Sequence, residues 1–233
     1  MTARYELLRP GQVREILKTR PLAYLPWGSH EWHGTQNPLG TDSIKAHKLC
    51  ELAAEQTGGI VFPLIYLGHQ TMKPGGGFRQ TFEFSETLIA LTAKEYLEQL
   101  VDEGFKVIVV LFGHYGSVHM NIIHRVIDAF CAAHPEVRVT AFADFEMTQQ
   151  DGYGGDHAGK NETSYMLRFF PEYVDLDTLP PPEAFDAMKE GVHGGYPPVD
   201  ASAELGQKQT DSFLANIVPH VNQLLAEVQA CQS

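Results

Sequence analysis

Residues 26–42, PWGSHEWHGTQNPLGTD, crowd His30, Glu31, His33 and Asp42 among Gly and Pro residues that forbid a regular helix. Carboxylate oxygen and imidazole nitrogen are the ligands that hard and borderline divalent metals take. Glu31 and His33 are two apart, so in an extended segment both side chains can point the same way. Asp42 returns after the turn GTQNPLG, where a carboxylate brought back onto its own loop could bridge two ions. HEWH is one residue short of HExxH and is not on a helix, so this is not a zincin motif. A blander reading leaves Glu31 solvated and has Asp42 capping a helix that starts near Ser43.

Two further clusters carry similar residues. In FGHYGSVHM, His114 follows an apolar strand on a Gly-flanked loop, which would stand its ring at a sheet edge. The alternative is an anion-binding turn at Gly113–Ser117, although no Lys or Arg follows until Arg125. His119 and His124 fall on the next helix, in packing or surface roles. In DHAGKNETSYML, His157 lies on a loop and Glu162 opens a helix. Glu162 could simply favour the helix dipole, and His157 could bond to backbone.

The elements that must position these residues alternate in type. LAYLPWG reads as a strand, SIKAHKLCELAAEQTGG as a helix, and IVFPLIYLG as an edge or irregular strand because of Pro63. HQTMKPGGGFRQTFEF is a Gly-rich loop too long for a plain connector. SETLIALTAKEYLEQLVDEGF is a helix with Ser85 as its N-cap and Gly104 past its end. In KVIVVLFG the residues after Lys106 form a continuous apolar run, as in a parallel sheet covered on both faces. Helix NIIHRVIDAFCAAHP, strand VRVTAFAD and helix ETSYMLRFF follow. Residues 171–202 are Pro-rich and irregular, and a final helix spans about 203–230. The pattern predicts one α/β domain over residues 1–233, a three-layer α/β/α sandwich with a mostly parallel central sheet. Each chemical cluster follows a strand, where such sheets place their sites.

Apolar residues make up 43% of the 233 and charged residues 20%, enough for a sizeable core. The net charge of -12, without any run of Lys or Arg, argues against nucleic acid and for a small-molecule partner or a metal cation. Cys50, Cys131 and Cys231 are read as thiols of a reducing cytosol. The charged opening stretch does not read as a signal peptide, and no apolar run approaches membrane-spanning length, so a cytoplasmic location is expected.

Taken in order, GSHEWHG, NPLGTD, FGHYGS and HAGKNETSYML resemble the motifs of the creatininase family of metal-dependent amidohydrolases, and GVHGG with ASAELGQK resembles its C-terminal segment. The resemblance covers roughly residues 20–215. It implies a site for two divalent ions, zinc, manganese or iron. Glu31 and His114 would hold one ion, His33 and Glu162 the other, and Asp42 would bridge them. It assigns His157 to proton transfer or substrate orientation, with Glu162 beside it as ligand or catalytic base. Tyr115, His69, Phe78, Arg79 and His193 are the expected substrate contacts, Arg79 having solvation as its alternative. The three glycines 75–77 would make the loop at 69–82 a lid. The resemblance further implies a homo-oligomer, often a hexamer.

The chain departs from the family pattern at Gly34-Thr35-Gln36, where members usually read Gly-Pro-His, at Gly116, where creatininase has a liganding Glu, and at Gln80-Thr81. It also has only Trp27 and Trp32. The expected reaction is hydrolysis of an amide or cyclic amide in a small polar substrate, by a hydroxide held between ions about 3.5–4 Å apart. The same site could instead cleave a formamide, a peptide, or a C–C bond beside a ketone in a cyclic polyol. A non-catalytic metal-binding module is the remaining alternative.

Overall fold

The computed structural model describes residues 4–230, so Cys231 lies outside the described residues. Four parallel strands form one sheet in the order β2-β1-β3-β4, with β1 at Leu22–Trp27, β2 at Ile60–Val61, β3 at Val107–Phe112 and β4 at Arg138–Ala143. Every residue of β1 and β3 is buried because both faces of the sheet are covered. Ala23, Leu25, Trp27, Ile108, Val110 and Phe112 face one way, under α4 (Glu86–Asp102) and α5 (Ser117–Ala133), with α1 (Pro10–Thr19) packed at the margin. Leu22, Tyr24, Val107, Val109 and Leu111 face the other, under α2 (Thr41–Thr57), α6 (Lys160–Phe169) and the long α8 (Ala203–Ala230). The expected three layers are present.

Pro63 has the effect foreseen: β2 stops at Val61, and the chain touches β1 again only through a single bridge from Ile65 to Trp27. Ser85 caps α4 by accepting from the Leu88 N–H. The glycines at 75–77 are not a free hinge. Gly75 and Gly76 lie in the short α3 (Met72–Gly76), and Gly77 ends it in the left-handed conformation. The Pro-rich stretch holds single 3₁₀ turns and α7 (Ala187–Glu190). Cys50 is buried and Cys131 half-buried, both free thiols. Among the described residues, no helix is long and apolar enough to cross a membrane.

Candidate metal centre

Trp27, Phe112 and Ala143 are in register across three neighbouring parallel strands, so β1, β3 and β4 end level and release their loops over the same edge. Glu31 and His33 come from the loop after β1, Asp42 from the first turn of α2, and His114 from the second residue past β3. His157 and Glu162 follow β4, Glu162 in the first turn of α6. The start of α2 is pressed against the sheet. A β-carbon on Gly113 would stand 2.0 Å from the Asp42 carbonyl oxygen, so only glycine lets His114 and Asp42 approach this closely.

The six residues form two groups, Glu31/Asp42/His114 and His33/His157/Glu162, each with one ligand atom per residue within 4.8 Å of the others. Asp42 stands between them. Its Oδ1 is 2.8 Å from His33 Nε2 and its Oδ2 is 3.4 Å from His114 Nδ1. His114 Nδ1 is also 2.9 Å from Glu31 Oε2, and His33 Nε2 is 3.3 Å from Glu162 Oε2. Asp42 does not cap its helix: the cap residue is Gly40, and no side chain bonds there.

The three imidazoles are oriented alike. His33 Nδ1 faces the Glu31 carbonyl at 2.9 Å, His114 Nε2 the His69 carbonyl at 2.9 Å, and His157 Nε2 the Trp32 carbonyl at 2.8 Å. A carbonyl can only accept, so those nitrogens carry N–H. This leaves the other nitrogen of His33 and His114 aimed at carboxylates, a contact that needs a positive charge between the two atoms. The carboxylates are braced as well. Glu31 Oε1 accepts from Met72 N–H at 2.6 Å, Glu162 Oε2 from Ala158 N–H at 2.8 Å, and Ser29 Oγ lies 2.6 Å from Asp42 Oδ2. Ala158 holds a left-handed φ of 53° to make its contact. Buried mixed oxygen and imidazole donors with fixed tautomers fit divalent zinc, manganese or iron.

Without a metal the charge must come from protons. Burial alone pushes His33 down, but Asp42 and Glu162 overturn this and hold it well above the usual imidazole range. His114 is likewise lowered by burial and raised well above the usual range by Glu31 and Asp42. Burial raises Asp42, yet His33 and His114 hold it well below the usual carboxylate range. Metal entry therefore displaces imidazole protons, and affinity should climb with pH from the usual imidazole value up to the raised one. Titrating metal-free protein with zinc in buffers of different ionisation enthalpy should show net proton release, and binding should be weaker at pH 6 than at pH 8. Binding without proton release would contradict the imidazole assignment.

Other expected site residues are dispersed. His69 bonds Phe84 carbonyl through Nδ1 at 2.7 Å, and its own carbonyl holds His114. Phe78 stacks on Trp32 with ring centroids 5.5 Å apart, while Arg79 and His193 are exposed. His193 contributes backbone, pairing with His157 in an isolated antiparallel bridge. Tyr115 directs its hydroxyl to Asp144 and Lys45. His30 stacks on Tyr66 outside both groups, and His119 and His124 pack edge-on against Phe112. Beside the Gly113–Ser117 turn, Val118 N–H at the start of α5 donates to Gln70 Oε1 at 2.7 Å.

The departures have steric reasons. A β-carbon on Gly116 would meet His114 Nε2 at 2.8 Å and the His69 carbonyl at 2.9 Å, so no carboxylate can stand there. Gln36 is buried and donates to the Ala158 carbonyl at 2.8 Å, bracing the segment between His157 and Glu162.

Sequence reasoning missed Lys45, Asp144 and Asp156. Lys45 is fully buried, 2.6 Å from Glu162 Oε1 and 3.1 Å from Asp144 Oδ2. Burial would lower it, but Asp144 and Glu162 hold its pKa above the usual lysine value. Burial would raise Glu162, but Lys45 and His33 bring it to about 2. Asp156 accepts from the Asn161 and Glu162 N–H groups at the start of α6, and burial and Glu162 push it up to about 7. Lys45 had a signal, a charge three residues after Asp42 and therefore on the same side of the helix.

Comparison with known proteins places the fold and the family. The creatininase family model, described as creatinine amidohydrolase, matches residues 6–221. The creatinine amidohydrolase of Pseudomonas putida is 26% identical over 192 residues, 69% of this chain and 72% of that protein. The 3-dehydro-scyllo-inosose hydrolase of Thermotoga maritima is 27% identical over 199 residues, 80% of this chain and 62% of that one. The chain thus spans less than two thirds of the Thermotoga relative. A crystal structure of creatininase superposes with a TM-score of 0.81 at 21% identity, covering 95% of this chain and 97% of that one. A Zn-Zn type creatininase variant superposes at 0.80, covering 96% and 98% at 21% identity, as does a manganese creatininase. Since the family match takes in nearly all of the strands, loops and helices that build the centre, the chain belongs to the creatininase family of metal-dependent amidohydrolases.

Proposed function

We propose that this chain hydrolyses a C–N bond of a small polar amide or cyclic amide at a binuclear centre. Glu31 and His114 hold one divalent ion, His33 and Glu162 the other, and Asp42 is shared. The observation that carries the reading is the division of Asp42, one oxygen toward a histidine of each group. When bound, the ions polarise the carbonyl and lower the pKa of water so that a nucleophile is available near neutral pH.

The chain's own groups do the rest. His157 is the half-buried residue among the six, the one through which a substrate would approach. Its Nε2–H is held by Trp32, which leaves Nδ1 free to take and return a proton. Burial and the neighbouring His33 keep its pKa below the usual imidazole value, so it is neutral near pH 7. Trp32, whose carbonyl holds His157, stacks on Phe78 and donates Nε1–H to the Glu190 carbonyl at 2.8 Å, which ties the 78–82 and 187–190 segments beside His157. A second reading makes His157 a ligand of the second ion, favoured by its distance from His33 and Glu162.

Turnover of metal-replete protein against lactams, formamides and keto-polyols tests the reaction. Lactam turnover supports the proposal. Turnover confined to keto-polyols would move the chain toward the chemistry named for its Thermotoga relative. Two bound ions with no turnover anywhere would favour a non-catalytic module.

We also propose a homo-oligomer, as the family resemblance implies; Met188 at 68%, Tyr173 at 62% and Val199 at 58% exposure in the Pro-rich stretch are the apolar side chains a neighbouring copy would cover. Light scattering should give a multiple of 25.9 kDa, and a monomer at micromolar concentration would refute this.

A further inference from the structure

We propose that Lys45 is a positioning residue for the second ion: it holds Glu162 Oε1 and thereby presents Oε2, with His33, to the metal. This inference rests on the binuclear reading above. Lys45 is fully buried, and its ammonium donates to Glu162 Oε1 at 2.6 Å and to the Tyr115 hydroxyl and forms an ion pair with Asp144 Oδ2 at 3.1 Å. Tyr115 in turn donates to the other Asp144 oxygen. The partners come from the loop after β3, the end of β4 and the start of α6, so one ammonium ties the loops that carry His114, His157 and Glu162 to the helix that carries Asp42.

Stability alone does not account for this arrangement. Buried ion pairs replaced by apolar residues of similar size are often neutral or better for stability. The consequence specific to this site lies in Glu162. Oε1 is taken by Lys45, and Oε2 is held by the Ala158 N–H at 2.8 Å while facing His33 Nε2 at 3.3 Å. The carboxylate cannot turn, so it offers one oxygen to an ion. Without the ammonium it is free to rotate toward the space beside Tyr115. Glu31 and His114 are held by each other, Met72 N–H and the His69 carbonyl and not by Lys45, so of the first ion's ligands only the shared Asp42 feels its charge.

The test uses Lys45→Met combined with Asp144→Asn, which removes the two opposite charges together, and Asp144→Asn alone, which keeps the Lys45–Glu162 bond. Zinc titration of each metal-free protein reads the two affinities separately, with thermal melting alongside. The double variant should bind the first ion as the wild type does and the second about 10–100-fold more weakly. Asp144→Asn alone should leave both affinities at wild-type values, whatever it does to melting. In unaltered protein the ¹⁵N resonance of the Lys45 ammonium should shift with the second equivalent of zinc and not with the first, a measurement that needs no variant to fold. The inference is overturned if the double variant keeps the second affinity, if Asp144→Asn loses it equally, or if the resonance ignores the second equivalent. A wild type that takes up no zinc would instead overturn the binuclear reading itself, and this inference with it.

Discussion

Replacing Asp42 by Asn should strip both ions from the protein, from about two per chain to nearly none. The amide keeps one acceptor and makes the other end a donor. Because Oδ1 faces His33 at 2.8 Å and Oδ2 faces His114 at 3.4 Å, either orientation of the amide places an NH₂ against a histidine lone pair that a metal would use. In the metal-free protein the variant exchanges an ion pair with two charged imidazoles for a neutral hydrogen bond and should melt lower than metal-free wild type, so metal content is read at a temperature where circular dichroism shows both proteins folded, which separates lost binding from lost folding. Activity should fall by at least about 10³-fold, since the ions supply several kcal/mol of transition-state stabilisation. Metal analysis after dialysis against excess zinc, with melting followed by circular dichroism, decides the matter. A variant that retains either ion at full occupancy would show that Asp42 is not shared.

The second large effect separates His157 from Glu162. His157→Ala should keep wild-type metal content and lower kcat by about 10²–10⁴-fold, the usual share of a general acid or base. Glu162→Gln should weaken the second ion, and part of its activity should return with added metal. The neutral amide loses the attraction of Lys45 along with the charge offered to the ion. The contrast is informative because both side chains stand within 4.8 Å of the same space while only His157 retains partial solvent access. If His157→Ala loses an ion and Glu162→Gln keeps both, the roles are exchanged and the ligand reading of His157 is correct.

The identity of the ligand-type residues was legible because chemistry and topology coincide locally. Glu31, His33 and His114 each follow a strand within a few residues, and a parallel sheet sends such loops to one edge; Glu162 reaches the same edge from the start of α6. The strand VIVVLF, apolar at every position, announced a sheet covered on both faces. His30 shows where that legibility stops. It has the same residue type and the same loop as His33, and only the path of the chain stacks it on Tyr66 at 4.0 Å and leaves it outside both groups.

The sequence by itself determined the layer order, the donor types and the neighbourhood of Asp42, because periodicity, Gly and Pro act over a few residues. Only the tertiary structure decided which atoms face one another. Lys45 meets Asp144 from 99 positions away and Glu162 from 117, and no local pattern encodes a contact that exists only once α2, β4 and α6 have packed. The loop at 69–72 likewise reaches Glu31 through the Met72 N–H and His114 through the His69 carbonyl, bonds made by backbone groups that every residue type carries. Side-chain chemistry can be read from letters. The hydrogen bonds of a main chain, and the burial that turns an ordinary lysine into a fixed charge beside Glu162, follow from how far the chain has folded back on itself.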